Sequence, residues 1–372
     1  MNWWIEMNTD KMGKFLEHDL DHSHRVRWGI VQKFMLKAHK PEHMKTLYRC
    51  LSWLQARWNK EFNCVVTVPL CKAAYRARSP DMALRILNSP WLRMLPNTNS
   101  HAWLLRTCVE LQEEKLFASP SFVNYKPYPR EYAVDDWVNP IAEEEEESKS
   151  QSYGSRHGGQ QEEKKVEVKV EDFGGRDLDA TFKNVVSYVF SPRHYTKLEP
   201  RLYALEAEFY AAKGNLEKTR ELLDKVASMP AQPVREYTKS NGTVERTEPL
   251  VTDAILPTAY LAAGQAQQAI DEIEKTGAKQ INTRLRRVLV AALLALGKTE
   301  EAYNAIKESG NVNQFELLQT HLGHHERVEQ IRQIYARLES EVGAQLTPEI
   351  KEYLNKLDSA IPAKQEAKEK TE

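Results

Sequence analysis

An all-α superhelix of paired helices, an α–α solenoid, is the fold class this sequence predicts, and three observations predict it. Three segments in the C-terminal half repeat one pattern around a glycine. A second, looser helical repeat runs through the N-terminal third. The stretch between them has a composition that cannot fold on its own.

The chain has 372 residues, enough for two domains or one extended array, with ample apolar content for buried cores. Its net charge of −1 hides an uneven distribution. Residues 1–117 carry 18 Lys/Arg against 11 Asp/Glu, about +7, and six of the eleven histidines. Residues 118–180 carry 8 against 15, a balance of −7, and the remainder 26 against 27. A basic N-terminal third can attract phosphate backbones, although a solvated helical surface gives similar counts. Cys50, Cys64, Cys71 and Cys108 form no CxxC pair, so a disulfide framework is not expected and a reducing compartment is. The first residues include Glu6, Asp10, Glu17, Asp19 and Asp21 and do not read as an Arg- and Ser-rich presequence. The expectation is a cytosolic protein, one imported by another signal, or a processed chain. No run of 18 apolar residues occurs, so no membrane span is expected.

Residues 1–117 make the first array. Pro69–Leu87 (PLCKAAYRARSPDMALRIL) parallels Met35–Leu51 (MLKAHKPEHMKTLYRCL), and Leu104 follows Leu70 at 34 residues. Each unit reads as a helix, a short turn, an Ala-Leu helix and a Pro-Asn loop. This resembles the pentatricopeptide repeat (PPR) family. In RNA-reading members a polar residue at the fifth position of the first helix works with one near the repeat's end. Here the fifth positions fall at Pro69 and Trp103, which supply no amide or hydroxyl for a base edge. The resemblance therefore implies a protein surface or a shape- and charge-based RNA contact, not base-by-base readout.

Residues 118–180 join the arrays. Their Pro- and aromatic-rich start is expected to run extended over a neighbouring surface. Glu143–Glu147 and the SKSQSYGSRHGGQQEEKK that follows cannot bury enough apolar area to offset chain entropy, which predicts a disordered acidic linker. Lys165–Phe173 alternates strictly and predicts a strand able to pair with a partner's edge.

Residues 181–346 make the second array. Gly214, Gly264 and Gly297 each follow a helical run, and glycine ends a helix because it takes positive φ without a Cβ clash. Five residues on stand Thr219, Ala269 and Ala302, small enough for close helix packing; nine residues on stand Leu223, Ile273 and Ile306 on the same face. This spacing resembles the second half of the tetratricopeptide repeat (TPR). The family's early Trp and Gly positions are not met; Ala207, Pro257 and Val290 hold the second of them. Gly264 to Gly297 is 33 residues, but Gly214 to Gly264 is 50, an excess of 17. A β-hairpin inserted over 232–249, turning on Asn241-Gly242, accounts for it. A degenerate unit at Phe315–Leu338 turns near Gly323. Residues 347–372 are expected as a helix with Thr347 as N-cap and Pro348 at N1, then a charged disordered tail after Ile361.

No P-loop, GxGxxG, GxSxG or HExxH is present, so no enzymatic activity, cofactor, metal or small-molecule substrate is expected. His18, His22 and His24 lie among acids and could hold a metal, but a solvated helix explains them, and structural zinc needs four ligands. His324-His325 reads as a loop cap beside Gly323, and the cysteines read as core. Trp3, Trp4, Trp53, Trp58, Trp91 and Trp103 crowd the first array; packing explains most, and an exposed pair would anchor an interface. Arg76, Arg78, Arg85 and Arg93 cluster around one hairpin and are the candidate RNA phosphate contacts. Arg284, Arg286 and Arg287 are weaker candidates, since they open a helix whose N-terminus disfavours cations.

Together the two arrays resemble the PPR-type proteins of the mitochondrial ribosomal small subunit, best over Arg78–Leu105. The resemblance implies a mitochondrial structural role, with rRNA backbone contact through the first array and protein contact through the second. The alternative is a cytosolic TPR adaptor holding a peptide in its groove, and an undetected enzyme comes third.

Overall fold

The structure is a computed structural model and describes residues 7–22, 25–58, 61–117, 178–192, 199–230, 236–238, 244–246, 250–276, 282–308 and 328–342. It is an all-α repeat architecture that divides into two compact units. The first takes residues 1–108 and 126–198, the second 109–125 and 199–372.

The first unit contains α1 (Thr9–Asp21), α2 (Trp28–Lys37), α3 (Pro41–Trp58), α4 (Cys64–Arg76), α5 (Pro80–Asn88), the first half of α6 (Thr98–Leu116) and α7 (Leu178–Val189). Local chemistry sets the starts. Asn8 accepts the Lys11 N–H at 2.9 Å and Asn63 the Val65 N–H at 3.1 Å, while Pro80 opens α5. α1 packs on α3 and α2 on α4, each pair side by side in the same direction, and α4 turns back on α5. Phe34, Met44, Leu47, Leu51, Leu54 and Leu70 are fully buried between them.

The second unit holds the remainder of α6, α8 (Pro200–Ala212), α9 (Leu216–Ser228), α10 (Ile255–Ala262), α11 (Ala266–Lys275), α12 (Thr283–Ala295), α13 (Thr299–Lys307) and α14 (Val328–Val342). Three helical hairpins, α8–α9, α10–α11 and α12–α13, follow one another, and α14 packs on α13. Thr219, Ala269 and Ala302 have no exposed surface, so the small residue five places after each glycine lies where the paired helices meet. Ile273 and Ile306 are buried too, whereas in α9 the buried residue is Leu222 and Leu223 is only half-buried. Between α9 and α10, β1 (Glu236–Thr238) pairs antiparallel with β2 (Val244–Arg246), Glu236 opposite Arg246.

The sequence reading closes the first array at residue 117 and begins the second at 181; the structure groups the helices differently. Phe182, Val185 and Val189 of α7 are buried, and the Tyr188 ring meets His101 edge-on at 5.7 Å, which ties α7 to the first unit. Phe117 packs with Ala254, Ile273, Leu285 and Ala291, which ties the end of α6 to the second. Several expectations lie outside the described residues: the linker around Glu143–Glu147, the strand Lys165–Phe173, the Asn241-Gly242 turn, His24, His324-His325, Trp3, Trp4, the turn near Gly323, the Thr347 cap and the tail after Ile361. Among the described residues no helix is long and apolar enough to cross a membrane.

Candidate nucleic-acid interface

Each glycine turn closes in the same way. The residue after the glycine donates its N–H to the carbonyl five back: Asn215 to Tyr210 at 3.0 Å, Gln265 to Tyr260 at 2.9 Å and Lys298 to Leu293 at 2.9 Å. Gly214, Gly264 and Gly297 themselves take φ of 76°, 77° and 74°. This double closure satisfies the last carbonyls of the helix and requires a left-handed residue.

The α4–α5 turn of the first unit is built identically, with an arginine in the glycine's place. Ser79 donates to the Ala74 carbonyl at 2.9 Å and Arg78 to that of Tyr75 at 3.2 Å, and Arg78 takes φ of 53°. Five residues on stands Ala83, fully buried, and nine residues on Leu87, buried as well. The first array thus shares the hairpin register of the second. The sequence concealed this because Arg78 breaks the glycine signature; the Ala83 and Leu87 spacing was the signal that remained. For an L-residue the left-handed region costs about 1–2 kcal/mol. Arg93, the other non-glycine residue at positive φ among those described, has φ of 35°.

The four candidate arginines have different fates. Arg76 serves the fold: its Nε donates to the Ala38 carbonyl at 2.8 Å and its Nη2 to that of Met35 at 2.9 Å, at the end of α2. A cation there meets the negative end of the helix, and burial lowers its pKa from the free value. Arg76 is therefore a helix-capping residue before it is a phosphate ligand. Arg78 is half-buried at its turn, while Arg85 on α5 and Arg93 beyond it are exposed. Neither Arg85 nor Arg93 forms an ion pair among the described residues.

Arg284 and Arg287 are also turned inward. Both bind the Glu113 carboxylate, Arg287 at 2.6 Å, and Arg284 also holds Glu208 at 2.6 Å. The Arg287 guanidinium lies 4.3 Å from the Phe117 ring centre. Burial pushes the Glu113 carboxyl up, but the pull of Arg284 and Arg287 outweighs it and leaves the pKa below the usual carboxylate value. Glu113 was invisible to sequence reasoning, since 171 residues separate it from Arg284 and no local pattern joins them.

Among the described residues an Asp–His arrangement that resembles acid–base machinery is closed. His43 Nδ1 accepts the His39 N–H at 3.3 Å, which leaves the proton on Nε2, 2.9 Å from Asp10 Oδ1. Lys40 Nζ holds the same carboxylate at 2.8 Å. The pair borders an open cleft of about 580 Å³ between α1 and α3, yet both ring nitrogens are engaged. Burial lowers the His43 pKa despite Asp10, so the ring is neutral near pH 7. Cys50, Cys71 and Cys108 are buried thiols with raised pKa values, that of Cys71 to about 12, and are packing residues; Cys64 is exposed. His18 and His22 stack at 4.2 Å, and among the described residues no three metal-ligating side chains come together.

The tryptophans divide. Trp53 is half-buried with the Arg57 guanidinium 4.5 Å from its ring, and Trp103 is half-buried beside Tyr75 at 5.2 Å and Lys72 at 5.1 Å. Trp58 and Trp91 remain 41% and 53% exposed, which core packing does not explain.

The solved structures the chain resembles include the pentatricopeptide repeat protein PPR10 from maize, with a TM-score of 0.29 and 14% identity over 92% of this chain and 51% of that one. Another is PPR10 in complex with an 18-nt psaJ RNA element, with a TM-score of 0.30 and 14% identity over 94% of this chain and 54% of that one. The chain spans about half the length of these structures. Scores this low lend no weight to shape or function, and the assignment to helical repeats rests on the hairpin closures themselves. No protein-family model and no curated protein sequence matches the chain.

Proposed function

We propose that this chain is a non-enzymatic helical-repeat scaffold of a mitochondrial ribonucleoprotein, the ribosome, where its first array contacts rRNA phosphates without reading sequence and its second array contacts proteins. Arg78 carries the reading. Among the described residues three equivalent turns use glycine, and a fourth holds a cationic side chain in a backbone conformation that disfavours it. Such strain marks a position kept for its side chain. Exposed Arg85 on the following helix and Arg93 beyond it extend the cationic surface, and Asp81 is the only acidic residue between positions 76 and 93. Pro69 and Trp103 offer no base-reading group, so the contact is to backbone and shape.

Co-purification of the tagged chain from mitochondria at low and high salt, with sequencing of bound RNA and mass spectrometry of bound protein, tests this reading. The expected result is small-subunit rRNA and ribosomal proteins together, with the RNA contact weakening as salt rises. Recovery of a single peptide-bearing protein from the cytosol, with no RNA at any salt, would favour a TPR adaptor instead.

A further inference from the structure

Most large apolar side chains exposed among the described residues belong to the first unit, and one of them, Trp58, packs into an aromatic cluster. Trp28, the first residue of α2, touches Trp58, the last residue of α3, edge to face with centroids 5.7 Å apart. It also lies roughly parallel to Phe62, 20° between planes and 6.5 Å between centroids. Phe62 is in turn stitched to the segment before α6: its N–H donates to the Arg93 carbonyl at 3.2 Å, and its carbonyl accepts the Leu95 N–H at 2.8 Å. In this set Phe62 and Met94 are buried, whereas Trp58 is 41% and Leu95 48% exposed. A buried aromatic base thus supports an exposed aromatic and apolar rim.

The charges around this rim are mostly cationic. Arg25 and Arg27 precede Trp28, Arg57 precedes Trp58, and Arg93 lies along Phe62; all four are exposed. Glu61 is the one acid among the described residues of these segments. An indole face held open among arginines matches a nucleotide, whose base stacks while its phosphate meets a cation. Helical RNA hides its base faces, so the complementary ligand is unpaired RNA.

We propose that Trp58, backed by Trp28 and Phe62, is a stacking platform for an unpaired base of RNA, with Arg27 and Arg93 beside it for the flanking phosphates. The inference rests on the phosphate-contact reading above and shares Arg93 with it. It adds a site outside the α4–α5 hairpin and a preference that phosphate contacts alone do not give, namely single strands over duplex.

The full chain, titrated with a single-stranded oligonucleotide and with a duplex of equal length at several salt concentrations, tests it. Tryptophan fluorescence should be quenched by the single strand. Trp58→Leu should weaken single-strand binding about tenfold, within the range for loss of one base–aromatic stack, and leave duplex binding and the salt slope unchanged. Trp58→Phe, which keeps an aromatic face, should restore most of the loss. Trp58 is partly exposed at a helix end, and unchanged circular dichroism would confirm that the variants fold.

Equal weakening on duplex, or no change on single strands, would overturn the platform while leaving the phosphate reading intact. Failure of the wild-type chain to bind either RNA would remove both. Loss of a co-purifying protein in Trp58→Leu, with RNA binding unaffected, would assign the patch to a protein partner and overturn the proposal.

Discussion

Arg78 and Gly297 occupy the same step of a helical hairpin, with φ of 53° and 74° and the same backbone closure, although they belong to different units. Arg78→Gly should relieve left-handed strain and lose some of that gain to the greater freedom of the unfolded chain, a net stabilisation of roughly 0.5–1 kcal/mol. The same substitution should weaken RNA binding. Denaturation midpoints and binding isotherms on one variant check both, and a variant that is less stable would show that the contribution of the Arg78 side chain to the fold outweighs the strain of its backbone.

The three glycines should differ in sensitivity. A Cβ on Gly214 would stand 2.9 Å from the Ala262 carbonyl carbon and the Ala263 nitrogen, both backbone, whereas Gly264 and Gly297 face open space. Gly297→Ala should therefore cost about 1–2 kcal/mol from φ alone. Gly214→Ala should cost a further 1–3 kcal/mol, because a helix end must move. Equal losses on urea denaturation would contradict the packing of α8–α9 against α10.

Ala302 is fully buried in the cluster with Val290, Tyr303 and Ile334. Ala302→Leu should overpack it and cost on the order of 1–3 kcal/mol. An unchanged denaturation midpoint would place Ala302 outside the contact of α12 and α13.

Glu113 gives an acid dependence with a definite sign. Its folded pKa lies below the ordinary carboxylate value, so the ion cluster contributes stability that is complete above the range in which an unfolded glutamate titrates. The contribution is lost as pH falls through the folded pKa, because the unfolded chain then binds the proton first. Glu113→Gln should cost about 3 kcal/mol near neutrality, the low end for a broken buried pair, since Arg284 and Arg287 keep 32% and 24% of their side-chain surface in water. The gap between variant and wild type should narrow towards pH 3. A constant gap across that range would mean that Glu113 is not ionised in the folded protein.

Much of the second array is legible in sequence because glycine at a left-handed turn and a small residue five places later are local requirements, and Gly214, Gly264 and Gly297 meet both. The first array is less legible because Arg78 replaces the glycine that would have announced the hairpin. The candidate site was read in part. Composition locates the basic hairpin but does not distinguish Arg76, which is tied to the carbonyls of Met35 and Ala38, from Arg85, which forms no ion pair among the described residues. The same limit applies to Arg284 and Arg287, whose partner Glu113 lies more than 170 residues away. The rings of Trp28, Trp58 and Phe62 likewise meet only through the fold.

The salt dependence of RNA binding tests the central claim most directly. The full chain and an Arg78→Gln, Arg85→Gln, Arg93→Gln variant, with Arg76 left to cap α2, would be titrated with unrelated RNAs at several ionic strengths. The account predicts similar affinities for all sequences, a steep loss with salt as counterions are released, and a slope flattened by up to about one unit per lost contact in the variant. Undetectable binding at low salt, or an unchanged slope in the variant, would contradict it.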